Sequence, residues 1–229
     1  MKARPLRLTV RRLAFLALGS SLFCTMGSVT YAQSFSFELL GGSAYNFPTP
    51  LTVHQTGYPD IQLTAHYDTK PFGPHLPYYS WRAEFWNEAR DQAWEVTQVH
   101  HRIYLTNNPP EIQIFAIHFG YNYFLVGHAW KRGGFVYHLD GGVLICSPEN
   151  TVRGRMLESH TIGIFNNGYV FGGLGAGAGV SRDFSITKHV FAVVNGAVMA
   201  GHGSVPVVDG SADVSNVSIH GQFGVGFRF

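Results

Sequence analysis

Apolar and polar side chains alternate with a period of two along most of the chain beyond its first thirty residues, which is the signature of strands with one face in each of two media. The alternation predicts strands near Ser34–Tyr45, Asp60–Thr69, Tyr78–Asn87, Ile112–Phe124, Phe135–Cys146, Tyr169–Arg182, His189–Ala200 and Val214–Phe229. The connections between these eight segments alternate in length. Lys70–Pro77, Leu125–Gly134 and Asp183–Lys188 are short, whereas residues 46–59, 88–111, 147–168 and 201–213 are longer. An up-and-down barrel with tight turns at one end and long loops at the other has this asymmetry.

The faces separate by chemistry. In the last strand Ile219, Phe223, Val225, Phe227 and Phe229 share one side, while Ser218, His220, Gln222 and Arg228 share the other. Ile61, Leu63, Ala65 and Tyr67 stand against Gln62, Thr64, His66 and Asp68, and Tyr79, Trp81, Ala83 and Phe85 against Ser80, Arg82, Glu84 and Trp86. The polar side carries too much charge and histidine for an ordinary solvated face. Apolar outward and polar inward is the arrangement of a strand that crosses a membrane.

Composition agrees. The 229 residues are 45% hydrophobic and 14% aromatic but only 13% charged, about half the roughly 25% of a soluble domain. With 27 glycines and no sustained helical stripe, a helical bundle is excluded, and no later apolar run reaches the roughly 18 residues of a spanning helix. The first 32 residues read as an export signal. Lys2, Arg4, Arg7, Arg11 and Arg12 precede an apolar stretch from Leu13 to Phe23, with small residues at Thr30 and Ala32 before a cut ahead of Gln33. The expected mature domain is therefore 33–229.

Charge and cysteine follow from that division. Removing five of the 16 Lys+Arg leaves eleven against 14 Asp+Glu, a net charge of −3, so no nucleic-acid footprint remains. Cys24 leaves with the signal and Cys146 stands alone, so no internal disulfide is expected.

These features together resemble the small eight-stranded outer-membrane β-barrels of Gram-negative bacteria. The resemblance rests on the export signal, the eight strands, the alternating loops and the last strand, Gln222-Phe223-Gly224-Val225-Gly226-Phe227-Arg228-Phe229, which looks like the terminal-aromatic signal used by the barrel assembly machinery. It covers the whole mature region. It implies an all-β, antiparallel, up-and-down transmembrane barrel in the outer membrane, monomeric, in contact with outer-membrane lipids and lipopolysaccharide. It implies no particular activity.

An eight-stranded barrel is just wide enough for its own side chains, so its inward polar groups must pair. A turn centred near Pro74 would set His66 opposite Arg82, Thr64 opposite Glu84 and Asp68 opposite Ser80; one near Trp130 would set Asn122 near His138 and Gly120 near Asp140. His66, Arg82, Glu84, His118, His138, Asp140 and His220 would then form one belt. The first reading of this belt is a hydrogen-bonded and ionic lock. The second is an acid–base site in which His118 or His66 takes a proton and Glu84 or Asp140 orients it. His66, His118, His138 and Asp140 are also metal-ligand types, but no tight ligand motif is present, and neither a metal nor a cofactor is expected.

The loops offer weaker candidates. His100 and His101 are adjacent, so on a strand they point to opposite faces and clamp nothing; a solvated loop is the expectation there. Arg153 and Arg155 are placed to meet lipopolysaccharide phosphates. The inward glycines among Gly172–Gly179 would make room for bulky neighbours such as Trp86 or Phe191. Three functions compete: a non-enzymatic structural or surface-binding barrel, which the filled interior favours; a lipid A deacylase or acyltransferase; and a porin-like narrow passage or pocket for a small apolar compound. Against the enzyme, His118-Phe119-Gly120-Tyr121-Asn122 has no serine, and Ser159 directly precedes His160 in a loop, which is poor geometry for a nucleophile and its base.

Overall fold

The computed structural model describes residues 34–72, 77–158, 162–163 and 167–229; the expected export signal, Ser159 and His160 lie outside them. Thirteen strands follow one another: β1 (Ser34–Asn46), β2 (Thr49–Gln55), β3 (Ile61–Ala65), β4 (Tyr67–Asp68), β5 (Tyr79–Trp86), β6 (Gln92–Leu105), β7 (Ile112–Arg132), β8 (Phe135–Cys146), β9 (Glu149–Val152), β10 (Arg155–Met156), β11 (Val170–Ser185), β12 (Val190–Val207) and β13 (Gly210–Arg228). Eight of them close a ring in the order β1-β5-β6-β7-β8-β11-β12-β13, every pair antiparallel, with β13 returning to β1. Closure leaves the ring no unpaired edge inside a bilayer.

The outer surface is what lipid requires. Leu39, Val126, Leu139, Leu174, Val194, Ile219 and Phe223 are exposed around the wall, with Phe85, Trp94, Trp130, Tyr137, Phe184 and Phe227 toward the end that carries the short turns. Aromatic rings at that level form the girdle of a membrane–water interface. The expected inversion holds: Phe223, Phe227 and Phe229 face outward at 68%, 43% and 72% exposure, while Ser218, His220 and Gln222 are buried. This is the architecture of an outer-membrane barrel.

The count of eight is right, but one of its members is replaced by another. Residues 60–69 do not form a wall strand. β3 folds back on β2 (Thr49↔Ala65, Val53↔Ile61), and β4 adds only Tyr67↔Leu105 and Asp68↔Tyr104. Instead β6, in the stretch read as a long loop, is a full wall strand between β5 and β7. Two further corrections follow. β5 runs opposite to the expected direction, because its first residues pair with the outer end of β1 (Tyr79↔Gly41) and its last with the start (Trp86↔Ser34), and the periplasmic turn is Asn87–Asp91, closed by Asn87 N–H to the Gln92 carbonyl at 2.9 Å. β7 continues through Leu125–Arg132 and turns at Gly133–Gly134, where φ of +61° and +82° suits glycine.

Several strands outrun the membrane. β7 has 21 residues, β12 18 and β13 19, against the roughly 9–11 that cross a bilayer. Much of the predicted 201–213 loop is thus paired strand, with only Val208 and Asp209 at its tip. Beyond the bilayer the patterning reverts to that of a soluble protein. β2 adds to β13 (Gln55↔Gly210, Leu51↔Val214), β9 adds to β7, and Leu51, Val53, Ala65, Ile103, Ile112, Val152, Val205, Ala212 and Val214 are all buried between them. This extracellular core caps the barrel.

On that extension His54 lies 2.9 Å from Asp60 and 3.4 Å from Asp213. Its hydrogen bond to the Asp60 carboxylate is the main cause holding the imidazole pKa above its ordinary value, with Asp213 adding to it. Any tie this makes between β2 and β13 is complete below the ordinary histidine range and is lost as pH rises through the raised value. An NMR titration of His54 should show the elevated midpoint, and Asp60→Asn should bring it down; a midpoint unmoved by that substitution would refute the pairing.

Candidate functional site

Two polar networks fill the barrel, one above the other. The lower is ionic. Register sets Glu38 opposite Arg82 and Glu84 opposite Glu95. The Arg82 guanidinium lies 3.2 Å from Glu38, 3.5 Å from Glu95 and 3.2 Å from His138 Nε2. His138 Nδ1 sits 2.8 Å from Glu95 Oε2, and its Nε2 is 2.9 Å from the Ser181 hydroxyl. Ser36 donates to Glu84 at 2.6 Å, and the Trp86 indole N–H donates to Ser36 at 2.8 Å. Asp140 reaches inward opposite Gly127, where an added Cβ would stand 2.1 Å from its Oδ1. Arg82 and Glu95 are 4% and 0% exposed. At such depth, removing one partner leaves the other charge buried and uncompensated.

The upper network is neutral. The Asn216 side-chain NH2 donates to Asn46, which donates to Thr69, and Thr69 lies 3.3 Å from His101 Nε2. His220 is held between Ser218 at 2.8 Å and the Tyr78 hydroxyl at 2.6 Å, and Gln222 donates to Tyr78 and Ser80. Small residues create the space around this layer: a Cβ on Gly175 would stand 2.7 Å from the Tyr123 ring, and one on Gly201 2.8 Å from the Tyr121 hydroxyl. The glycines of β11 thus yield to Tyr123 rather than to Trp86, while Phe191 is accommodated by Gly226.

Of the sequence-predicted residues, Arg82, Glu84, His138 and Asp140 come together in the lower network. His220 belongs to the upper one. The remainder are elsewhere. His66 is exposed between β3 and β4, so its expected pairing with Arg82 fails with the misplaced strand. His118 lies in the irregular stretch between Ile117 and Tyr121, its Nδ1 3.0 Å from Glu149. Asn122 pairs with Ile145 rather than His138, because the β7–β8 turn lies further along than expected, and its side chain points outward. Arg153 donates to Gln55 at 2.9 Å and to the Pro59 carbonyl at 2.7 Å, and stacks on Tyr58; Arg155 pairs with Asp209 at 2.6 Å. Both arginines tie extracellular strands together.

Sequence reasoning missed Ser36, Glu38, Glu95 and Ser181. Ser36 and Glu38 were visible, since they alternate with Phe35, Phe37 and Leu39. Glu95 went with its strand. One ligand atom each from Glu84, Glu95 and His138 lie within 4.8 Å of one another, but the cation among these groups is the Arg82 guanidinium, so the set differs from the metal-ligand types anticipated and is already charge-paired. His66 and His118 are both far from it in the fold.

No family model and no curated protein matches this sequence. Among solved structures it is similar to Ail, the attachment invasion locus protein of Yersinia pestis (13% identity, TM-score 0.40, 86% of this chain and 97% of that one). It is also similar to the outer membrane protein AlkL in lipid bilayers (10%, 0.47, 89% and 93%) and to OmpT, an outer membrane protein of Vibrio cholerae (11%, 0.27, 84% and 52%).

Proposed function

We propose that this chain is a non-enzymatic outer-membrane barrel whose locked interior anchors an extracellular platform that meets partners at the cell surface. The observation that carries this reading is the filling of the lumen. Among Arg82, His138, Asp140, Asn195 and Gln222 the free volume is about 10 Å³, the space of about one water, and the extracellular core lies above it. A passage for even a small apolar compound would need both layers to move. The acid–base reading has less support: His118, Glu84, His66 and Asp140 lie in three separate places, and neither His66 nor His118 has the interior carboxylates within reach. Contact with lipopolysaccharide, handling by the barrel assembly machinery and a monomeric state belong to the same proposal.

Two measurements on the full barrel test it. In planar bilayers the protein should give no resolved conductance steps. Cells with and without it should have the same lipid A acyl pattern. Reproducible steps would sink the locked interior, and an altered acyl pattern abolished by His118→Ala or Glu84→Gln would sink the non-enzymatic reading.

A further inference from the structure

On β5, β6 and β7 the outward face carries a cluster of polar side chains. On neighbouring strands β5, β6 and β7 the register aligns Tyr79, His100 and Asn122 in one row and Trp81, Gln98 and Phe124 in the row beneath. Their outward direction follows from alternation: Val99, His101 and Tyr123 point into the barrel and are buried there, so Gln98, His100 and Asn122 stand on the opposite face. A cavity of about 370 Å³ opens among them, with Tyr169 at its rim. That is within the roughly 300–1,000 Å³ of ordinary ligand pockets.

Its polar groups are buried yet incompletely used. His100 and Gln98 are 2% and 4% exposed. Asn122 Oδ1 lies 2.8 Å from His100 Nδ1 and accepts from the Gln98 NH2 at 3.5 Å. With Nδ1 donating to that carbonyl oxygen, a neutral imidazole presents Nε2 as an acceptor. Neither His100 Nε2 nor Gln98 Oε1 has a protein partner. Tyr79 stacks on His100 with centroids 4.9 Å apart, which fixes the imidazole plane. Two unfilled buried acceptors on a membrane-facing surface are costly unless something donates to them.

We propose that this pocket binds a membrane amphiphile that carries a hydroxyl or amide N–H next to its alkyl chain. The donor meets His100 Nε2 and Gln98 Oε1, the aromatic rings of Tyr79, Trp81 and Tyr169 enclose the junction, and the chain runs down the apolar wall past Val96 and Val126. Such a molecule is either a structural lipid of the outer leaflet with an amide-linked chain or a free N-acyl or hydroxy-acyl compound. The inference goes beyond the platform reading, whose lipopolysaccharide contact specifies no binding pocket on the wall.

The full barrel in phosphatidylcholine vesicles, whose acyl esters accept but do not donate, provides the test. N-lauroylethanolamine should bind at least tenfold more tightly than methyl laurate, as followed by Trp81 fluorescence and the His100 imidazole NMR signals. The Gln98→Leu/His100→Phe variant should lose that preference. Both replacements are apolar on a lipid face, so its heat-modifiable gel mobility should be retained; should it fail to fold, Gln98→Met, which keeps the length of the side chain and removes the acceptor, must still weaken the preference for the donor probe. Vesicles containing lipopolysaccharide distinguish the sources: competition with the probe identifies a structural lipid, and its absence a free amphiphile. Equal affinity for the two laurate probes, or a preference unchanged in the variants, overturns the proposal.

Discussion

Arg82→Met should lower the thermal midpoint of the folded barrel by roughly 6–20 °C, the consequence of about 3–5 kcal/mol lost when one partner of a buried ionic set is removed. Among the described residues Arg82 is the one guanidinium within reach of Glu38 and Glu95, and it also lies against His138. Methionine fills a similar volume but leaves those carboxylates facing one another without a cation. Glu38→Gln in the same chain should restore a substantial part of the loss, because it removes one of the stranded charges; Glu84→Gln alone should destabilise less, since Ser36 and Trp86 can still hydrogen-bond an amide. The loss of heat-modifiable gel mobility with temperature reads all three. An Arg82→Met barrel as robust as its parent would show that the ionic layer does not lock the lumen.

Val53→Asp should strip the order from the extracellular extension while leaving the membrane ring intact. Val53 is fully buried among the residues that cap the barrel, and its strand pairs in the sheet with β13 of the ring and with β3. A carboxylate there has no partner, and burying it unpaired costs more than the contacts of one short hairpin return. Limited proteolysis should therefore cut between residues 49 and 65 in the variant and not in the parent, with the same heat-modifiable shift in both. If the ring collapses with the cap, the two layers form one cooperative unit rather than an anchor and a platform.

Which parts of this were legible in the sequence follows from where each medium begins and ends. Inside the bilayer, one face meets hydrocarbon and the other meets a wet or ionic lumen, so period-two alternation reports the faces faithfully: β1, β8, β11, β12 and β13 lie where the alternation puts them. Strand β6 did not announce itself. Its lower half alternates in the expected sense, with Trp94 outward and Glu95 inward, but from Gln98 upward the outward positions are Gln98 and His100, and the inward Val99 faces Tyr-lined space. The apolar sense of the pattern reverses along a single strand, and a reversed pattern looks like a loop. Residues 60–69 mislead for the complementary reason. Ile61, Leu63 and Ala65 alternate because they line a small water-bounded core on the hairpin β2–β3, where apolar means inward, and nothing local distinguishes that from a lipid-facing row.

The site was half legible on the same grounds. Arg82 and Glu84 were found because their strand alternates cleanly, and His138 and Asp140 because theirs does. Their neighbours across the lumen depend on register, which depends on the turn; moving the β7–β8 reversal from Trp130 to Gly133–Gly134 replaces Asn122 by Ala129 opposite His138. That shift also turned Asn122 from a lumen residue into part of an outward pocket.

The seam between β1 and β13 joins segments separated by almost the whole described chain, with Phe35 and Phe229 exchanging backbone hydrogen bonds in both directions. The β2–β13 pairing spans a comparable separation. Contacts of such high sequence separation form late, because loop-closure entropy must be overcome before they return any energy. Ring closure and capping are therefore the slow steps of assembly, and until they are complete the polypeptide presents two open hydrogen-bonding edges, vulnerable to pairing with another nascent molecule.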